Sequence, residues 1–339
     1  MTKAVFRVDA NKEIGIGHFS RTRALADEIK NLDFTPVFVT KNDSKVIELL
    51  KDSEFEIVKF NGEAENQLET EIEAILSVCP TLVVFDIRST SHELIAALKK
   101  YGIYVVSFDD LGEGRYLADI VVDANLSEEK NPKKLETNTR YLVGEDYAVI
   151  SKECRAAKKI RRDEKFIQRI IVSCGGSDPS GVTPKVVAGL SNLSTDVEVE
   201  LILGPDFAPS AKLNEALLNS ARTFDIVESP KNLFERMRKA QLGIISGGIT
   251  LFEAAFLGLP SIVVCQNIAQ LKNLPKFEAI GGIINIGLSS NNPILNLTPI
   301  VRSLESEEKR KAMSRALERL IDGKGVDRIC GAIMEVMGR

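Results

Sequence analysis

The chain alternates short apolar runs with longer stretches of helical spacing, and it does so twice. In the first half, residues 4–8, 35–39, 55–60, 81–86 and 104–108 read as strands. Residues 18–32, 45–50, 66–78 and 92–101 carry the helical pattern between them. A run such as Leu82-Val83-Val84-Phe85 is apolar on both faces, which a strand buried in a parallel sheet requires. Helices on both sides of that sheet complete a doubly wound α/β domain. A charged stretch at 151–165 reads as a solvated helix and linker, and the alternation then restarts. Strands are expected at 169–174, 198–203, 224–227, 242–245, 261–264 and 283–286. Helices are expected at 184–193, 212–221, 232–239, 250–257 and 270–280, and a helical tail at 299–337 is interrupted at Asp322-Gly323-Lys324-Gly325. The fold class is therefore α/β, with two Rossmann-like doubly wound domains, 1–151 and 152–339, facing a cleft. The last helix is a candidate to pack back on the first domain. A length of 339 residues suits two domains of roughly 100–200 residues each.

Composition narrows the partners. Forty-four Lys and Arg against 48 Asp and Glu leave a formal charge of −4. A nucleic-acid binder needs a basic excess, so none is expected as partner. No apolar run approaches the roughly 18–20 residues that span a bilayer, so stable membrane insertion is not expected. The first residues turn polar at Arg7, too early for a signal peptide. Five cysteines without a CxxC pair, and only two histidines, give no support for a zinc site, and no metal or other cofactor is expected. Cys174 and Cys265 lie in apolar runs and read as reduced core thiols, which fits the cytoplasm.

Four segments at strand ends carry the residues with chemistry. In the first, Arg7 and Asp9 close a strand, and Gly15, Gly17, His18 and Arg21 follow in a loop that opens a helix near His18. Glycines let backbone approach a ligand, and a helix N-terminus offers free N–H groups to an anion. A positive potential there favours the neutral imidazole that a general base requires. A capping or core histidine is the alternative. The pattern GxG without GxGxxG does not point to a nicotinamide dinucleotide. In the second segment, Asp109 and Asp110 end the fifth strand, suited to orient a base, hold a sugar hydroxyl, bind Mg²⁺ or form a solvated turn. The third runs Cys174-Gly175-Gly176-Ser177-Asp178-Pro179, with Thr183 and Pro184 marking a helix start and a plausible anion cradle between. The fourth, Ser246-Gly247-Gly248-Ile249-Thr250-Leu251-Phe252-Glu253, repeats strand, Gly-Gly turn and helix, with a carboxylate one turn in. Its amides suit a diphosphate, and Glu253 suits the hydroxyls of a ribose.

Taken together, these segments resemble the UDP-sugar hydrolases of pseudaminic acid biosynthesis and the related spore-coat polysaccharide biosynthesis proteins, which have the glycosyltransferase-B fold. The resemblance rests on Arg7, Asp9, Ile14, Gly15, Gly17, His18, Arg21, Leu25 and Ala26. It continues through Asp109, Asp110, Asp119 and Asn125, then Leu142, Gly144, Tyr147 and Ala148. Gly175 to Pro179, Gly248, Thr250, Glu253, Gly258, Pro260, Gln270, Gly281, Asp322, Gly323, Gly325 and Arg328 complete it. The chain differs where the hydrolases carry Asp-His-Tyr after the fourth strand, having Asp86-Ile87-Arg88, and has Ala269 where an Asn usually precedes the family Gln.

The resemblance implies metal-independent hydrolysis of a UDP-linked 2,4-diacetamido-2,4,6-trideoxyhexose with inversion. His18 would activate the water, and Asp9 and Asp109 would orient it or hold the sugar. Arg7, Gly15, Gly17, Arg21, Asp110, Gly176, Ser177, Asp178, Gly248, Thr250, Glu253 and Gln270 would contact substrate. A glycosyltransferase acting on the same donor, a nucleotide-sugar binding protein and a 2-epimerase remain the alternatives.

Overall fold

The computed structural model describes residues 2–11, 16–63, 65–124, 138–157, 165–194, 196–208 and 210–338. The chain divides into two compact units, the first made of Met1–Ser151 with Lys324–Arg339 and the second of Lys152–Gly323. The final helix thus belongs with the first unit, although the chain reaches it only after completing the second.

The first unit runs β1 (Thr2–Val8), α1 (Gly17–Ile29), β2 (Phe34–Lys41), α2 (Val46–Leu49), β3 (Glu56–Phe60), α3 (Gln67–Ser77), β4 (Leu82–Asp86), α4 (His92–Lys99), β5 (Tyr104–Phe108), β6 (Ile120–Asp123) and β7 (Arg140–Val143). Among the described residues these strands form one sheet in the order β3-β2-β1-β4-β5-β6-β7, with every pairing parallel. Side chains alternate across it. Phe6, Val84 and Val106 enter a core with Phe19, Leu25 and Ile29 of α1, while Val5, Val83 and Val105 enter another with Ile75, Leu94 and Leu98. Strands β1, β4 and β5 therefore bury both faces, which accounts for their apolar runs. Strands β6 and β7 are absent from the sequence reading. Each is four residues long, too short to display a period.

The second unit runs α5 (Lys152–Ala156), β8 (Arg169–Ser173), α6 (Val182–Leu190), β9 (Glu198–Leu203), α7 (Ala211–Leu218), β10 (Asp225–Glu228), α8 (Leu233–Lys239), β11 (Leu242–Ile245), α9 (Ile249–Phe256), β12 (Ser261–Cys265), α10 (Ile268–Lys272), α11 (Pro275–Ala279), β13 (Ile283–Leu288), α12 (Leu297–Arg302) and α13 (Glu307–Leu320). Its described strands form a parallel sheet in the order β10-β9-β8-β11-β12-β13. The single helix expected over 270–280 is two. Pro275 lacks the N–H that would continue α10, and it opens α11 instead.

Helix α14 (Gly325–Val336) returns to the first core through Val326, Ile329, Cys330 and Ile333. Its first residue has to be glycine, since a Cβ there would stand 2.1 Å from the carbonyl oxygen of Ala148. Among the described residues, no helix is long and apolar enough to cross a membrane.

Candidate active site

In an open parallel sheet, ligands bind beyond the carboxyl ends of the strands where the winding reverses. In the first unit that point lies between β1 and β4. Helix α1 starts beside it and contributes His18, Arg21 and Thr22. Strand β4 contributes its last residue, Asp86, and the turn after β5 contributes Asp109.

Asp86 is the centre of this group and is 1 % exposed. One of its oxygens, Oδ1, meets Nδ1 of His18 at 2.6 Å and accepts from Nη2 of Arg21 at 2.6 Å. The other, Oδ2, accepts from Nε of Arg21 at 2.7 Å and from the Thr22 hydroxyl at 2.8 Å. Burial alone would push this carboxyl up, but the Arg21 guanidinium and then His18 more than offset it, holding Asp86 well below the usual carboxylate range. An ionised carboxylate only accepts, so Nδ1 of His18 carries the hydrogen and a neutral ring leaves its lone pair on Nε2. Nε2 has no hydrogen-bond partner among the described residues, and the side chain is 26 % exposed. A carboxylate fixing one ring nitrogen while the other is left to accept a proton is the arrangement of a general base. From sequence, the helix N-terminus was the electrostatic neighbour assigned to His18. The structure adds a carboxylate and a guanidinium.

Arg21 bridges two carboxylates, since Nη1 also donates to Oδ2 of Asp109. Burial lowers the Arg21 pKa, but Asp109 and Asp86 raise it further, so the guanidinium stays charged. Asp109 adopts φ 46°, a left-handed conformation that Asp tolerates better than most residues.

Several residues expected to touch substrate also make hydrogen bonds or ion pairs within the first unit. Asp110 is 4 % exposed, and its carboxylate accepts from the Thr90 N–H at 3.0 Å, the Thr90 hydroxyl and the Gly112 N–H at 2.8 Å. Arg7 is buried against Glu71 at 2.5 Å and Asp9 at 2.8 Å. Asp9 further accepts from the Thr40 hydroxyl and the Lys41 N–H, both at 3.0 Å. Asp9 is thus held by β1 and β2, and no hydrogen bond or ion pair links it to His18 among the described residues. Gly17 is the first residue of α1. Gly15, with Ile14, lies outside the described residues, as do Asn125 and residues 158–164 of the charged stretch.

In the second unit the winding reverses between β8 and β11, and three loops meet there. Gln266, after β12, donates through Nε2 to the Cys174 carbonyl, and the Ser180 hydroxyl returns a bond to the Gln266 carbonyl at 3.0 Å. Gln270 accepts the Gln266 N–H at 2.9 Å, and its Nε2 stands 3.5 Å from where a Cβ on Gly248 would be. Asn273 donates to the Gly247 carbonyl at 3.4 Å. The loop at Gly176 is braced by the next one, because the Asp206 N–H donates to the Gly176 carbonyl at 2.9 Å. A Cβ on Gly204 would lie 2.3 Å from that same carbonyl oxygen.

Two helices start at this edge, and they differ. Asp178, at φ 46°, accepts from the N–H groups of Val182 at 2.8 Å and Thr183 at 2.7 Å, so the start of α6 is already occupied by a carboxylate. The cap thus falls to Asp178 and not to Thr183. Ser177 and Gly176 are half-buried in the loop before it. Helix α9, by contrast, begins at Gly248 with no side-chain cap and no acid in its first turn, leaving the Ile249 and Thr250 amides for an anion. One turn further, Glu253 is 8 % exposed, and its carboxyl has no hydrogen bond among the described residues. Burial first, then Glu153 of α5, push it up to about 8. A buried, unpaired carboxyl beside an open helix start is suited to receive hydroxyl donors from a bound anion's own body.

Asp86 stands at the centre of this candidate site, and the sequence reading left it out. Its signal was available: a carboxylate as the final residue of a fully apolar run.

The chain is 25% identical over 333 residues to the spore coat polysaccharide biosynthesis protein SpsG of Bacillus subtilis, covering 97% of this chain and 96% of that protein. It is 31% identical over 278 residues to the uncharacterized protein MJ1062 of Methanocaldococcus jannaschii, covering 79% of this chain but 56% of that protein, so it spans only about half the length of that relative. No family model matches. Among solved structures, MurG of Acinetobacter baumannii superimposes with a TM-score of 0.70 at 13% identity, covering 99% of this chain and 100% of that one. The fold is the glycosyltransferase-B fold, as the resemblance implied.

Proposed function

We propose that this protein acts on a UDP-linked sugar in polysaccharide biosynthesis, and that its reaction is hydrolysis. The observation that carries the reading is the His18–Asp86 pair at the reversal point of the first sheet, with Nδ1 and Oδ1 2.6 Å apart and Nε2 left to accept a proton. Similarity to the B. subtilis spore-coat protein over nearly the whole chain supports the pathway class.

In this reading the second unit holds the nucleotide. The Ile249 and Thr250 amides at the start of α9 receive the diphosphate, Gln270 completes that turn, and Glu253 accepts the ribose hydroxyls. The first unit supplies the proton chemistry. A water oxygen forms a bond to the anomeric carbon as its proton passes to Nε2 of His18. The bond from that carbon to the diphosphate oxygen breaks, the electron pair leaves with UDP, and the anomeric configuration inverts. Amides aimed at the departing diphosphate stabilise the charge that develops on it. UDP is already a good leaving group, so the reaction proceeds without a metal. The sugar proposed from the resemblance is a 2,4-diacetamido-2,4,6-trideoxyhexose.

The experiment is incubation with UDP-sugars and no acceptor, followed by anomeric NMR. The expected result is release of UDP and free sugar, with the inverted anomer appearing first. Release only after a sugar or lipid hydroxyl is added would assign the protein as a transferase. A 2-epimerised product would assign it as an epimerase. Binding without turnover would leave a nucleotide-sugar binding protein.

A further inference from the structure

We propose that Arg21 is a positioning residue rather than a substrate ligand: it aligns Asp86 on His18. The inference rests on the reading of His18 as a base. Three of the Arg21 nitrogens are engaged by carboxylates, Nε and Nη2 in a fork on Asp86 and Nη1 on Asp109. Its guanidinium carbon also lies 5.2 Å from the centre of the Phe108 ring, and its side chain is only 12 % exposed. A planar fork of this kind fixes the orientation of a carboxylate in a way that a lysine cannot.

Nη2 of Arg21 also stands 3.4 Å from Nδ1 of His18. With the hydrogen on Nδ1 pointing to Asp86, these two nitrogens are both donors, so Arg21 acts on the ring through Asp86 and not by a hydrogen bond of its own. Among the described residues, the charged groups around the ring are Asp86 from β4, Arg21 from α1 and, through Arg21, Asp109 after β5.

The paired aspartates then have separate tasks. Asp109 anchors Arg21 from a left-handed backbone conformation, held by its N–H bond to the Val122 carbonyl at 2.9 Å. Asp110 locks the following turn onto Thr90. A residue strained in this way persists only where its surroundings over-determine it.

The sequence contains two histidines, and His92 is exposed at the start of α4, so it serves as an internal reference. The test is steady-state kinetics of the wild type, R21Q, R21K and D109N, with ¹⁵N NMR of both rings at neutral pH to read which nitrogen carries the hydrogen. In the wild type the His18 hydrogen should sit on Nδ1. In R21Q the His18 Nδ1–H signal should shift or broaden while the His92 signals stay, and kcat should fall at least tenfold with KM changed less than about twofold. R21K keeps the charge without the planar fork and should not restore kcat. D109N should show the same changes in smaller measure, and it carries the test if R21Q does not fold. Unchanged His18 signals, or a raised KM with unchanged kcat, would overturn the proposal. Changed signals in a protein that turns over no UDP-sugar support the proposal while removing the functional reading. Turnover in the wild type with His18 signals unchanged in the variants does the reverse.

Discussion

The two sheets reverse their winding at the same topological point, yet their carboxyl edges there are chemically unlike. The edge of the first unit is built from ionisable side chains, His18, Arg21, Asp86 and Asp109, bound to one another. The edge of the second is built from glycine turns, carboxamides and an uncapped helix, with one carboxyl held near neutrality by burial. Side chains that exchange protons can turn over a substrate. Backbone amides, which do not titrate, can grip a diphosphate at any pH. The fold supplies the position in both cases, and the residues placed there decide the task.

The contrast is sharpest if single substitutions separate turnover from binding. H18N should cut kcat by about 10²-fold or more, as loss of a general base does, with the Kd for UDP within about twofold. A matching loss of UDP affinity, measured by calorimetry, would erase the distinction. E253Q should do the opposite, weakening UDP by about tenfold because the amide NH2 cannot accept a ribose hydroxyl as a carboxyl oxygen can, with a smaller effect on kcat.

E253Q also has a signature in stability. The ordinary value for this carboxyl is 4.5, and in the folded chain it is pushed up to about 8. The folded state therefore binds the proton more tightly than the unfolded one. The stability this contributes is complete below 4.5 and is lost as pH rises through 8. Thermal melts of the wild type should fall in Tm between pH 6 and 9, and those of E253Q should fall less. Equal slopes would mean that Glu253 is ionised in the fold.

G204A should cost about 1–3 kcal/mol, because its methyl would press on the Gly176 carbonyl and neither backbone segment can yield cheaply. Its UDP affinity should fall with its Tm, while substitutions at the first unit's edge leave UDP affinity alone. The smallest effect is expected from EDTA, which should change turnover by less than twofold in an acceptor-free assay.

Much of this was legible in the residues. Strands buried on both faces announce themselves as apolar runs, and the Gly-Gly turns at 175–176 and 247–248 mark two of the three loops that meet in the second unit. What was not legible was the division of labour among neighbours. Asp109 and Asp110 are adjacent in sequence, but one reaches Arg21 and the other Thr90, since successive side chains leave the backbone in different directions. Asp178 and Thr183 both suit a helix cap, and only the turn geometry gives the role to Asp178. Asp86 required knowing that β4 lies beside β1, a pairing set by tertiary winding and not by local pattern. The same holds for α14, whose apolar face matches the first core although the chain meets it last.

The most direct measurement is a crystal structure with UDP bound. The account predicts the diphosphate on the Ile249 and Thr250 amides, with both ribose hydroxyls on Glu253 and the α6 start still closed by Asp178. A nucleotide seated instead on the amides of α1, among His18 and Arg21, would contradict it.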